Sequence, residues 1–178
     1  MIILLNLLTI SRIFIGLLIF ILLIFDSFLL AAFILFIFAG LTDYLDGYLA
    51  RKYDAKSQIG EILDPIADKI LVVFLFFGLT INLSSYIIGF AGALIISREI
   101  WVSALRDFNA RNNNLNATKV TFLAKIKTSV QLFTLFIYLL ALAIDIMLLI
   151  ILADILVVIA ALITLYTGYL YTYNTFKN

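Results

Sequence analysis

Four aspartates, Asp43, Asp46, Asp64 and Asp68, stand close together in a chain whose other residues are overwhelmingly apolar. An ionised carboxylate at bilayer depth costs about 2.5–3.5 kcal/mol on insertion scales, so four of them need a reason beyond structure. At about 100° per helical residue, Asp43, Asp46, Gly47 and Ala50 share one face of a helix. Asp64 and Asp68 stack one turn apart at i and i+4 on the next helix, and Gly60 lies a turn below Asp64. Without a cation such carboxylates repel one another and take up protons, so a bound metal is the simplest state in which all four stay ionised. Their donors are all oxygen, which favours Mg²⁺ or Mn²⁺ over zinc.

The residues between the aspartates extend the same chemistry. Gly47 and Ala50 leave their helical face bare and let a ligand approach the backbone. Arg51 then offers a planar fork to phosphate. Carboxylates for a divalent cation, small residues that make room, and an arginine describe a site for a metal-bound diphosphate, such as a nucleotide sugar or nucleotide lipid. Histidine and cysteine are absent, which excludes imidazole bases, thiolate nucleophiles, disulfides and the usual zinc sites. The alternative for the aspartates is buried ion pairing with Arg51, Lys69 or Arg98. For Gly47 and Ala50 it is helix–helix packing through small residues.

The elements that must position these groups follow from composition. The chain has 178 residues, 65% hydrophobic and 13% charged, with a mean hydropathy of +1.20, far from a soluble domain. A formal net charge of +1 gives no pointer to nucleic acid. Apolar runs follow one another almost without linkers and predict an all-α membrane protein of six transmembrane helices, about 9–26, 28–50, 60–82, 85–107, 120–145 and 149–173. Residues 1–178 read as one transmembrane domain with no soluble domain appended, and Met1 to Ile10 lack the basic leader of a removable signal peptide. Residues 1–8 are expected to form a short interfacial helix edged by Asn6 and Thr9.

Charge asymmetry sets the expected orientation. The turns at Asp26-Ser27, 82–85 and Asp145 carry no Lys or Arg, whereas Arg51, Lys52 and Lys56 sit in one alternate loop and Arg106, Arg111, Lys119, Lys125 and Lys127 flank the next. With Lys177 after the last span, both termini and both basic loops are expected on the cytoplasmic side of the membrane. Arg106 to Lys119 reads as a solvated loop, Asp154 as the N-cap starting the last helix, and Tyr166, Tyr169, Tyr171 and Tyr173 as an interfacial belt. Pro65 either stands at the first position of a helix capped by Asp64, or lies inside a helix that begins near Gly60.

Asp43-Tyr-Leu-Asp46-Gly47-Tyr-Leu-Ala50-Arg51, eight residues, Gly60, three, Asp64, three, Asp68 resembles the signature of the CDP-alcohol phosphatidyltransferases, with every position filled. The resemblance extends from Asn6-Leu-Leu-Thr9-Ile-Ser-Arg12 to Thr167-Gly168-Tyr169. Within that family, Ser97-Arg98-Glu99 and Lys125-Ile-Lys127-Thr128-Ser-Val-Gln131 look like the phosphatidylglycerophosphate synthase branch, apart from Ala124, where those enzymes usually carry glycine.

The resemblance implies transfer of a phosphatidyl group from CDP-diacylglycerol to an alcohol, glycerol 3-phosphate on that branch, with release of CMP, and it implies a homodimer. It gives Asp43, Asp46, Asp64 and Asp68 to Mg²⁺ or Mn²⁺, makes Asp68 also the catalytic base, and favours the Pro65-in-helix reading. Gly47, Ala50, Arg51 and Gly60 would shape the CDP pocket. Arg98, Arg106, Lys125 and Lys127, if they face one cytoplasmic mouth, would hold the acceptor's phosphate. Two rival functions stand beside this one: the same reaction on serine, inositol phosphate or a lipid alcohol, and a proton or cation transporter built on the intramembrane aspartates.

Overall fold

A computed structural model describes residues 2–53, 58–112, 114 and 122–177. Six helices account for nearly all of them: α1 (Ile2–Ile24), α2 (Leu29–Lys52), α3 (Gln58–Asn82), α4 (Tyr86–Arg111), α5 (Phe122–Ile144) and α6 (Met147–Phe176). Five are long and apolar enough to cross a membrane: α1 from Leu5, α2, α4, α5 and α6. In α3 the charged residues Glu61, Asp64, Asp68 and Lys69 stand in the first half of its sequence, and the apolar run 70–77 follows. The chain is an all-α membrane protein with this six-helix plan.

The helices close into a ring in the order α1, α2, α5, α6, α4, α3 and back to α1, with a further contact from α3 to α5 across it. Lipid supplies no hydrophobic drive between helices, so close approach depends on small residues. A Cβ on Gly16 would meet Leu71 Cα at 3.2 Å, and one on Gly78 would meet Leu23 Cδ1 at 2.8 Å, so these two glycines let α1 and α3 lie together over much of their length. Gly92 does the same for α4 against Phe76 of α3. Buried alanines, Ala32, Ala39, Ala91, Ala153 and Ala160, line other contacts, and Ile19, Leu23, Leu75, Leu79, Ile88 and Leu135 fill the centre. Large side chains such as Phe14, Phe90 and Leu148 cover the outside, where acyl chains are their solvent.

Three short turns, 25–28, 83–85 and 145–146, join α1 to α2, α3 to α4 and α5 to α6. Each uses non-glycine residues in the left-handed region: Asp26 and Phe28, Ser84, and Asp145. Ser85 caps α4 by accepting from the Ile88 amide at 3.4 Å.

Several helix limits differ from expectation. No separate interfacial helix precedes the first span, because residues 2–11 contain neither proline nor glycine to break α1. α4 runs on to Arg111, so 106–111 is helix rather than loop, supported by the Arg111–Asp107 pair at 2.8 Å. Lys119, with the rest of 115–121, and Lys56 lie outside the described residues. α6 begins at Met147, which puts Asp154 two turns inside the helix rather than at its N-cap. There it accepts a hydrogen bond of 2.6 Å from the buried Tyr138 hydroxyl of α5, the partner that makes an acid tolerable in this position. Pro65 lies inside α3, whose first residue is Gln58.

Candidate active site

α1, α2 and α3 bring the four aspartates together around a fifth residue, Arg12. Its side chain is 1% exposed. Nη1 donates to Asp43 Oδ1 and, at 2.6 Å, to Asp68 Oδ1. Nη2 donates to Asp46 Oδ2 at 2.6 Å and to Asp64 Oδ1 at 3.3 Å. Thr9, one turn before Arg12, adds a hydroxyl donor to Asp64 Oδ1 at 2.7 Å. One guanidinium thus bridges two carboxylates of α2 and two of α3, using the fixed fork that suits arginine to the task.

The pairing with Arg51, Lys69 or Arg98 considered from the sequence is replaced by this one. Lys69 instead donates to Ser103 of α4 at 2.5 Å. Sequence reasoning missed Arg12 as a site residue because its partners lie 31 to 56 positions away. The signal was present in its isolation: Arg12 is the sole charged residue of α1, and an intramembrane charge implies a partner.

One positive charge faces four negative ones, so the cluster retains a strong demand for cations. Asp46 is nearly buried, while Asp43, Asp64 and Asp68 are about half exposed and open the cluster to the outside. The donor set fits an oxygen-seeking divalent cation, and the guanidinium already stands there as a monovalent stand-in. Among the described residues no three acidic side chains are disposed to hold one ion as they stand, since the carboxylates are spread over two nitrogens of Arg12.

Around the cluster, a Cβ on Gly47 would meet nothing nearer than Arg51 Nη2 at 3.9 Å. Gly47 is therefore not a packing glycine; it leaves space beside the Arg51 guanidinium. Ala50 is half-buried and Arg51 exposed in the last turn of α2, and Gly60 is half-buried in the first turn of α3.

A second group of charges lies between α4, α5 and α6. Arg98 and Lys127 are both about 95% buried, and Glu99 joins them: Arg98 Nη1 donates to Glu99 Oε1 at 3.1 Å, and Lys127 Nζ donates to the same oxygen. Arg98 Nη2 also donates to Thr167 Oγ1 at 2.9 Å, and its guanidinium lies 5.5 Å from the Tyr171 ring centroid. A Cβ on Gly168 would stand 2.8 Å from Arg98 Cγ, so the side chain can cross α6 only because residue 168 is glycine. Tyr171 is buried beneath Arg98 and Arg106 and does not belong to the expected interfacial belt, unlike the exposed Tyr166, Tyr169 and Tyr173.

All four basic residues singled out from the sequence, Arg98, Arg106, Lys125 and Lys127, line one cavity of about 390 Å³. A neighbouring cavity of about 310 Å³ has Asp68 and Lys69 in its wall and shares Glu99, Lys127 and Thr128 with the first. Asp68 of the aspartate cluster and the four basic residues therefore line adjoining cavities. Glu99 carried no assigned role in the sequence reading, although an acid beside Arg98 within an apolar span was itself a sign of pairing.

The model of the family described as CDP-alcohol phosphatidyltransferase matches residues 2–170. A protein of Wigglesworthia glossinidia brevipalpis named CDP-diacylglycerol--glycerol-3-phosphate 3-phosphatidyltransferase is 40% identical over 103 residues, 58% of this chain and 57% of the relative. A protein of the same name from Escherichia coli K12 is 36% identical over 102 residues, 57% of this chain and 56% of its own length. The aligned part thus spans little more than half the length of the curated relatives.

Proposed function

The chain belongs to the CDP-alcohol phosphatidyltransferase family, and on that premise we propose that it transfers the phosphatidyl group of CDP-diacylglycerol to glycerol 3-phosphate, giving phosphatidylglycerophosphate and CMP. The observation that carries the choice of acceptor is the cavity lined by Arg98, Arg106, Lys125 and Lys127, joined through Glu99, Lys127 and Thr128 to the cavity that contains Asp68. Four cations opposed by one carboxylate suit an acceptor bearing a phosphate dianion and disfavour serine. A transporter would need a polar route through the other half of the ring, but Ile19, Leu23, Leu79 and Ile88 fill its centre there. The names of the two relatives agree with this reading.

In this mechanism Asp43, Asp46, Asp64 and Asp68 hold Mg²⁺ or Mn²⁺, which when bound neutralises the diphosphate and the charge that develops on the leaving oxygen. Gly47, Ala50 and Gly60 leave room for the cytidine diphosphate, and Arg51 binds one of its phosphates. The basic cavity fixes the acceptor's phosphate, which turns the acceptor hydroxyl toward Asp68. Asp68 takes the hydroxyl proton as the oxygen attacks the phosphatidyl phosphorus; the bond from that phosphorus to CMP breaks, and CMP leaves with its electron pair. Residues 1–178 act as one transferase domain in a homodimer, with the site and both termini facing the cytoplasm, the side that the arginines and lysines predict.

The test is CMP release by purified protein in lipid nanodiscs with CDP-diacylglycerol and Mg²⁺ or Mn²⁺, across glycerol 3-phosphate, serine and inositol phosphate. Turnover with glycerol 3-phosphate alone, abolished by EDTA and restored by metal, is expected. Turnover with serine would overturn the acceptor, and full activity in a metal-stripped sample would overturn the metal.

A further inference from the structure

Arg12 has no part in the reaction as written, yet it is the best-connected side chain in the cluster. Its two Nη atoms are shared among all four carboxylates, while its Nε is buried with no acceptor. The guanidinium is thus held chiefly by the negative charge around it, and one of its own donors is left unsatisfied. A divalent cation entering from the open side, past Asp43, Asp64 and Asp68, would draw on the same negative charge. Any two cations that depend on one set of carboxylates weaken each other's hold, and the coupling is reciprocal.

We propose that Arg12 is a positioning residue that acts as a tethered counter-cation: it gathers the aspartates of α2 and α3 when no metal is bound, and yields its hold on them when a divalent cation binds. This rests on the metal reading of the four aspartates given above. A purely structural arginine would make the cluster stable whether or not metal were present, and its removal would not improve metal binding. A competing one makes metal binding weaker in the native protein than the bare carboxylates would allow, in exchange for a cluster that stays assembled between turnovers.

The experiment uses the full chain in nanodiscs, stripped with EDTA, and follows Mn²⁺ binding by electron paramagnetic resonance alongside thermal unfolding with and without Mn²⁺. Wild type is compared with Arg12→Gln, Arg12→Lys and Asp43→Asn. Arg12→Gln is expected to unfold at lower temperature without metal, to gain more from Mn²⁺ than wild type does, and to bind Mn²⁺ roughly tenfold more tightly, within the span of about 5- to 150-fold that site couplings cover. Arg12→Lys keeps a point charge without the fork and is expected to fall between the two. It decides the matter if Arg12→Gln does not fold. Equal or weaker Mn²⁺ binding by the Arg12 variants, with Asp43→Asn weaker still, would overturn the competition while leaving the metal site intact. No saturable Mn²⁺ binding by wild type or by either Arg12 variant would overturn the metal reading, and this proposal with it.

Discussion

The missing side chain at Gly168 fixes where Arg98 can lie, because a single added carbon would stand 2.8 Å from Arg98 Cγ. Gly168→Ala is therefore expected to push Arg98 off Thr167 and to raise KM for glycerol 3-phosphate more than it lowers kcat, as steady-state kinetics would show. Gly47 makes the opposite case. Nothing but Arg51 comes near its absent Cβ, so Gly47→Val should fold and insert normally while losing CDP-diacylglycerol affinity, measurable as nucleotide-lipid binding in nanodiscs. Retained affinity would remove Gly47 from the substrate site. At the cluster, Asp68→Asn keeps an oxygen that can coordinate and should lose about 10²–10⁴-fold in turnover, the usual worth of a general base. Asp43→Asn and Asp64→Asn should instead be partly restored by high Mg²⁺ or Mn²⁺; the reverse pattern would move the base to Asp64. The aspartates were legible in the sequence because each pair sits within one helix, where i, i+3 and i+4 spacing maps directly to a shared face. Arg12 was not legible, since its partners come from two other helices.

At the scale of the helices, polar side chains mark where neighbours must stay in register. Along α4 and α6, Arg98 meets Thr167, Trp101 meets Thr172 and Asn109 meets Thr175, three links that advance together along the two helices. Between α5 and α6, Gln131 donates to Thr164 and Tyr138 to Asp154. Tyr138→Phe leaves Asp154 without that donor in an apolar setting and is expected to cost about 1–3 kcal/mol, read as a lower unfolding midpoint in detergent. A second test lies in the turn 83–85. Ser84 adopts φ 47°, a conformation glycine takes without a steric penalty, so Ser84→Gly should leave the unfolding midpoint unchanged or raised, whereas Ser84→Val should lower it. Hydropathy revealed the helices themselves, while their limits followed local chemistry that an average hides. Arg111 reaches back to Asp107 and prolongs α4, and Asp154 is carried into α6 by a tyrosine on another helix. Tyr171 is indistinguishable in sequence from the three exposed tyrosines near it, and only the packing of Arg98 and Arg106 over its ring sets it apart.

At the scale of the molecule, the ring of six helices puts the two charged groups on neighbouring walls, with α1, α2 and α3 holding the aspartates and α4 and α5 lining the basic cavity. That closure rests on contacts between helices distant in sequence, such as α1 with α3 and α2 with α5, and no local pattern in the sequence announces it. The two walls also differ in the order of their birth. Arg12 leaves the ribosome inside an otherwise uncharged span, and a charge there costs about 2.5–3.5 kcal/mol to insert. Its first partner, Asp43, follows 31 residues later, roughly 2–6 seconds at ordinary rates of synthesis. Until the second and third spans join it, the first span carries that charge without its partners. The electrostatics that shape the site thus also tie the first three helices to one another, with one arginine of α1 answered by carboxylates of α2 and α3.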